Sequence, residues 1–497
     1  MNKTELNKLI TYIEENTRAD KVSGIEFIDP RNFKARVVGK QNYVVFGRRG
    51  AGKSTLLKTI ENNETIITVY INLEDYKDIT FPNIIIKILT SFYSELTKNI
   101  RLNRSLKSPI HFYKSTKLIK SVDKLIVELE KKLVAPDSYQ ERKKEILKQE
   151  DSIASELKIQ GAGIGGSSKD NLELEYEHSW EIDKLNELKT SIDVNKNKIQ
   201  EIIEFTQKQI ILIFDDFYFI PKKTQPFLVD YFHRLAKSND FYLKIGTIKH
   251  RSHLYFQSEQ SYIGMEMNAD VYDIDLDYTL DKWNDLKNFK KDLINEAIRA
   301  SGAQIEILEI FNDQSFNQLC IASGGVPRDF LVLFIKCCQL LNDNKRKITV
   351  PDVRETAIQN YVNKKSALEK DSLDDSNVLE AYINYLRDTV FTLKRTNVFL
   401  IENDSLNREE TVRQVLRELI DLRFLHVIDN NTSAAPSDGK RYSAYLLDVS
   451  LYDNGRPRDF KEIVPDIQSN RDDVRGAYRV SVNKLKEISA DNKINVC

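Results

Sequence analysis

Cysteine is scarce in this 497-residue chain, and the four present (Cys320, Cys337, Cys338 and Cys497) form neither a CxxC pair nor a Cys/His ligand spacing. That excludes a disulfide scaffold and a structural zinc site, and reads as buried thiols in a reducing compartment with one more at the tail. Long hydrophobic runs are missing too. No stretch approaches the roughly 20 apolar residues that cross a bilayer, and residues 1–20 alternate charge with isolated apolar residues instead of building a signal-peptide core. The expected setting is the cytoplasm, with no membrane partner. Excess charge of one sign is absent: 74 Lys+Arg stand against 75 Asp+Glu, a formal net charge of -1. Wholesale electrostatic capture of nucleic acid is therefore not implied, and any such contact needs a local patch. What remains, 41% hydrophobic and 30% charged residues, is the composition of a large globular protein of about three units.

Because glycine is also sparse, 17 residues in all, its clusters carry information, and the first is Gly47-Arg48-Arg49-Gly50-Ala51-Gly52-Lys53-Ser54. The apolar run Asn42 to Phe46 before it suits a buried parallel strand, and Thr55 to Ile60 continues as a helix. In that context GxxxxGK[ST] is a phosphate cradle. Glycines let backbone N–H groups curl around β- and γ-phosphates, the helix N-terminus adds its positive dipole end, Lys53 adds a point charge, and Ser54 can ligate Mg²⁺.

Such a cradle needs carboxylates at the end of another strand of the same sheet, and Gln209 to Phe214 ends in Asp215-Asp216. Asp215 would hold Mg²⁺ through water. Asp216 would orient or deprotonate the attacking water, unless it is only a solvated strand-end acid. A further strand, Tyr242 to Ile248, precedes Lys249-His250-Arg251-Ser252-His253, and places Thr247 where it could sense the γ-phosphate. With Thr65 to Leu73 and Val271 to Leu276 the strand count is five, helices lying between, which predicts a parallel αβα sandwich. Downstream, the turn Gly324-Gly325-Val326-Pro327 leads into a helix with Arg328 in its first turn. That arginine either reaches the nucleotide from a lid or is an ordinary surface charge.

Taken together, GRRGAGKS, IILIFDD, KIGTIKHRS and GGVPRD resemble the AAA+ ATPases, in particular the origin-recognition-complex-like branch and its bacterial relatives, with the STAND signalling ATPases as cousins. The resemblance covers roughly residues 20–365 minus an insertion. It implies ATP and Mg²⁺ as cofactors, Walker A at Gly47 to Ser54 with Thr55 beside it in the nucleotide-binding set, Walker B at Asp215 and Asp216, sensor 1 near Thr247 and sensor 2 at Arg328. It also implies a homo-oligomer in which an arginine finger, Arg251 or Arg234, meets the neighbouring subunit's nucleotide. Asp216 stands where many relatives carry Glu, so slow hydrolysis is expected. The predicted class is α/β: a parallel αβα P-loop ATPase core (residues 1–99 and 206–280), a coiled-coil insertion (100–205), a helical lid (281–365), a C-terminal winged-helix domain (376–460) and a helix or tail (461–497).

The insertion rests on apolar spacing. Leu118, Val122, Leu125, Leu129 and Leu133 form one stripe, and Leu185, Leu188, Ile192, Asn195, Ile199 and Ile202 another, as in two arms of an antiparallel stalk. Asn195 falls in the seam, where it either fixes register or marks a frayed helix. At the far end, Gly161 to Gly166 suggests a β-hairpin, a flexible loop or a bare connector, open to an effector protein. In the C-terminal unit an amphipathic helix, Thr411 to Leu422, precedes two strands, so that Arg413, Arg417, Lys440 and Arg441 could meet duplex DNA phosphates. Two functions follow: an assembling ATP-driven motor or switch on DNA or a DNA-bound partner, with bacterial antiphage defence suggested by the resemblance alone, or a nucleotide-gated scaffold that recruits a separate effector.

Overall fold

The protein is described from a computed structural model covering residues 3–17, 27–102, 109–134, 184–257, 262–344, 347–371, 376–452, 457–465 and 467–493. At its centre five parallel strands lie side by side: β1 (Tyr43–Phe46), β2 (Ile66–Asn72), β3 (Gln209–Asp215), β4 (Phe241–Thr247) and, after a small exposed hairpin of β5 (Tyr255–Gln257) and β6 (Tyr262–Gly264), β7 (Tyr272–Asp275). Their order is β2-β3-β4-β1-β7, with Asn72 opposite Asp215 and Phe46 opposite both Thr247 and Asp275. Branched apolar residues on both faces of these strands account for burial on both sides. Ile211, Ile213 and Val45 face α2 (Phe33–Val38) and α3 (Lys53–Lys58). Leu212, Phe214 and Ile245 face the other layer, which includes α4 (Asn83–Leu102).

The described parts of the insertion belong to that second layer. Helix α5 (Pro109–Val134) packs along α4, and α6 (Ile192–Thr206) leads into β3. Val122, Ile199 and Ile202 are fully buried in one apolar cluster with Phe92 and Phe214. Within the described residues the expected stripes pack against the sheet's helical layer, while α5 also touches α6; residues 135–183, where the expected stalk would continue, lie outside them. A spacing of three and four says that a helix buries one side, not what covers it. Asn195 shows the difference, because its Oδ1 accepts from the Tyr93 hydroxyl of α4 at 2.7 Å and its Nδ2 donates to the Ser191 carbonyl at 2.9 Å. The Gly-rich tip lies outside the described residues.

A second body begins with α1 (Lys3–Asn16), whose Leu6, Leu9, Ile10 and Ile13 pack with α8 (Trp283–Ser301) and α10 (Pro327–Asn344). The N-terminal helix therefore belongs with the lid and not, as the sequence suggested, with the parallel sheet. Between α8 and α10 runs α9 (Asp313–Ala322), and α11 (Val350–Gln359) and α12 (Tyr361–Asp371) follow.

The C-terminal unit runs helix–strand–helix–helix–strand–strand, an order consistent with the expected winged helix. It runs α13 (Ser376–Leu386), β8 (Val398–Glu402), α14 (Asn403–Arg408), α15 (Glu410–Asp421), β9 (Leu425–Ser433) and β10 (Arg441–Leu447). The segment expected as a helix or tail packs onto this unit: after α16 (Ile467–Arg475), β11 (Tyr478–Arg479) pairs in parallel with β8. Helix α17 (Val482–Lys493) then buries Leu485, whose carbonyl accepts from the Tyr382 hydroxyl at 2.7 Å. Nor does residue 365 mark a packing boundary. Lid and wing share one apolar cluster and are joined by Arg423–Asp329 at 2.6 Å, by Lys364–Asp448 at 2.6 Å, and by Arg354–Glu462. Polar sequence between two units does not report ion pairs formed on either side of it.

Candidate nucleotide-binding site

The turn after β1 bends through Gly50 and Gly52, at φ +87° and +99°, conformations that glycine adopts without strain. It opens onto the N-terminus of α3, where Ser54 and Thr55 sit half-buried in the first turn. Lys53 is 5% exposed and folds back to donate to the Gly47 carbonyl at 2.8 Å and the Arg48 carbonyl at 3.3 Å. Burial lowers its pKa, against the opposing pull of Asp216, Asp215 and Asp277. The Gly47 N–H donates to the Thr247 carbonyl at 3.2 Å, which ties the cradle to the end of β4.

At the end of β3, Asp215 is 2% exposed and accepts from the Tyr70 hydroxyl of β2 and from the Asp216 N–H at 3.0 Å. Asp216 stands at φ 51°, and its carboxyl is pushed up to about 6, first by burial and then by the charge of Asp215, with Lys53 opposing. A glycine turn followed by a helix, between two strands of a parallel sheet, with paired acids closing β3, two places from β1 in that sheet, decides the matter. The core is a P-loop α/β fold.

Arg328 also comes to the cradle, its backbone N–H donating to the Gly50 carbonyl at 3.3 Å, and a Cβ placed on Gly50 would lie 2.8 Å from that of Arg328. The buried Asp215 carboxylate and the Ser54 hydroxyl are hard oxygen donors, the chemistry that suits Mg²⁺ once phosphate oxygens complete the set. Among the described residues no group of three His, Cys, Asp or Glu could hold a metal by itself.

Other expected site residues are placed differently. Arg48 contributes its backbone to the turn, but its side chain is 4% exposed and turned onto the Asp277 carboxylate at 3.3 Å and the Tyr278 carbonyl at 3.2 Å. Arg49 is the exposed member of the pair, and its charge is felt by Asp216. Thr247 is fully buried with its hydroxyl against Ser252. It is Gly246 whose face looks onto Asp215, since a Cβ there would lie 2.7 Å from Oδ1, and strand alternation puts Thr247 on the opposite face. Arg234 is about half exposed and 3.8 Å from Asp230 on its own helix, α7 (Gln225–Ala236). Tyr70 and Asp277 lie outside any motif, and Gly246 lies inside KIGTIKHRS beside Thr247, the residue that motif points to; alternation along β2 and β4 is the one signal that could have pointed to Tyr70 and Gly246.

Arg251 lies in the turn that meets α15 of the same chain. It acts there on Asp421, a carboxyl 8% exposed and pushed up to about 7 chiefly by burial, against the pull of Arg251 and Arg48, with Asp277 and Glu418 adding like charge. The folded value lies above the ordinary 3.8, so the folded state binds the proton more tightly. The cost of ionising Asp421 grows from about that pH to about 7 and is constant above it. Asp421→Asn should melt about 2–4 °C above wild type at pH 8 and level with it near pH 4. Scanning calorimetry at the two pH values checks this, and a pH-independent difference would contradict it.

No protein-family model matches the chain, and no curated protein does. Among solved structures, the Orc1 protein of Aeropyrum pernix, solved in complex with DNA, is similar over 91% of this chain and 92% of its own at 12% identity, with a TM-score of 0.32. A Walker-type ATPase of Pyrococcus abyssi is similar over 91% and 94% at 13% identity, with a TM-score of 0.35. No described helix is long and apolar enough to cross a membrane.

Proposed function

We propose that this chain binds ATP with Mg²⁺ and hydrolyses it slowly, as an AAA+ ATPase of the origin-recognition-like kind that works as a switch on DNA or a DNA-bound partner. One observation carries the reading: Lys53 and the Asp215–Asp216 pair converge on a glycine turn that Arg328 closes from the lid. In this reading Ser54 and Asp215 hold Mg²⁺, which would neutralise charge on the phosphates. Lys53 turns from the turn carbonyls to the β- and γ-phosphates. Asp216, when ionised, accepts a proton from water, and Arg328 faces the γ-phosphate. Arg251 is committed towards its own wing, which favours Arg234 as the arginine offered to a second copy in a nucleotide-dependent oligomer.

A nucleotide-gated scaffold is the second reading, and the wing supplies the observation that favours it. Arg413 pairs with Glu410, Arg417 lies 4.0 Å from the same acid, Lys440 lies 3.0 Å from Glu402, and α15 turns towards residues 249–251. Only Arg441 is both exposed and outside these pairs. One protein preparation tests both halves. Phosphate release from ATP should require Mg²⁺ and vanish in Asp216→Asn; release equal in both overturns the catalytic role. Duplex DNA titrated at two salt concentrations should bind with an affinity that falls by roughly one log-log unit per phosphate contact. Indistinguishable curves for wild type and Arg413→Ala/Lys440→Ala/Arg441→Ala would assign the wing to protein contacts.

A further inference from the structure

Strand β2 lies beside β3 in parallel, with Tyr70 opposite Ile213 and Asn72 opposite Asp215. Alternation therefore puts Tyr70 on the face that carries Ile213 and Asp215, over the start of α3, where its ring packs with the apolar cluster of Leu56, Leu57 and Ile60. The Lys58 ammonium lies 5.5 Å from the ring centre on the outer side. At the inner end the Tyr70 hydroxyl donates to Asp215 Oδ2. The phenol thus touches the carboxylate that the nucleotide reading assigns to Mg²⁺. No mechanism requires a tyrosine there, and the Walker pattern does not include one.

We propose that Tyr70 is a positioning residue that holds the Asp215 carboxylate in the metal-free cradle and competes with the divalent cation for it. The inference rests on the Mg²⁺–nucleotide reading of the site. Asp215 is almost completely buried, so its carboxylate needs donors when no cation is present, and Tyr70 supplies one alongside the Asp216 N–H. A cation held by Asp215, directly or through its water, would compete with that donor for the carboxylate oxygens. Removing the hydroxyl leaves Asp215 less satisfied without the cation and unchanged with it, so the cation binds more tightly. A tyrosine that served only packing would act in the opposite direction or not at all.

The test uses the full chain, saturating ADP and Mn²⁺ as the probe, with free Mn²⁺ followed by electron paramagnetic resonance. Tyr70→Phe, which keeps the ring, should bind Mn²⁺ about tenfold more tightly than wild type, the worth of one hydrogen bond to a charged group. ADP affinity in EDTA should agree within about twofold between the two proteins, because the phenol touches no group that the reading assigns to phosphate. Equal or weaker Mn²⁺ binding by Tyr70→Phe, with ADP binding intact and circular dichroism unchanged, overturns the proposal and leaves the nucleotide site standing. Absence of ADP binding in both proteins, with or without Mn²⁺, overturns the site and this inference together.

Discussion

Lys53→Ala is expected to bind ATP at least about 100-fold more weakly than wild type, because a charged hydrogen-bond donor to phosphate contributes about 3 kcal/mol. Lys53 is already desolvated inside the turn and flanked by Asp215 and Asp216, so its charge is not screened by water as a surface lysine's would be. In the empty cradle it donates to the Gly47 and Arg48 carbonyls. Nucleotide binding exchanges those neutral acceptors for phosphate oxygens, which makes the interaction larger in the complex than without it. Asp216→Asn should separate from it cleanly, retaining affinity while turnover is lost. Isothermal titration with ATP and Mg²⁺ measures the first difference; equal affinity in wild type and Lys53→Ala would remove Lys53 from the phosphate site.

The second large effect is expected far from the cradle. Asp448 is fully buried between Lys364 of the lid, at 2.6 Å, and His426 of the wing, at 2.8 Å, and also accepts from the Ser450 N–H at 2.9 Å. Burial alone would raise its pKa, but Lys364 and His426 win and hold it well below the ordinary carboxylate range. Asp448→Ala leaves Lys364, 5% exposed, as an unpaired buried cation, and should cost about 3–5 kcal/mol of stability. Urea denaturation of the full chain measures this loss. Because the folded value is depressed, the ion pair's contribution is present above the ordinary pKa of 3.8 and falls away as pH drops below it. The gap between wild type and variant should therefore narrow below about pH 4. Replacing all three partners together, Lys364→Met, Asp448→Leu and His426→Leu, should recover most of the loss, since the desolvation cost disappears with the charges. A variant as stable as wild type would show that the lid–wing joint is held by its apolar cluster alone.

Physically, Asp448 and Lys53 differ in how their surroundings can be read from sequence. The cradle is a contiguous stretch, Gly47 to Ser54, whose chemistry is local: glycines for the turn, then a helix N-terminus, then a lysine one helical step in. All five strands were visible because parallel strands buried on both faces are near-continuous apolar runs. The paired acids were visible because they interrupt such a run at its end. By contrast, Lys364 and Asp448 are 84 residues apart, and Arg423 and Asp329 are 94. Nothing near either partner announces the other.

The sequence by itself determined the glycine turn, the lysine and serine within it, the acids at the end of β3, the five strands and the helix–strand–strand order from Thr411 to Leu447, because each is written in short-range spacing or in unbroken apolarity. Only the tertiary structure decided what each amphipathic helix covers. It put α1 with the lid, the arms of the insertion against the sheet's outer layer, and the last helix into the wing, since an apolar stripe specifies burial without naming a partner. The same holds within the site. Arg48 is drawn from the cradle to Asp277, 229 residues away, and Tyr70 is laid against Asp215 across 145. Those contacts depend on which strands become neighbours in the sheet, and that pairing is settled by the packing of the whole core.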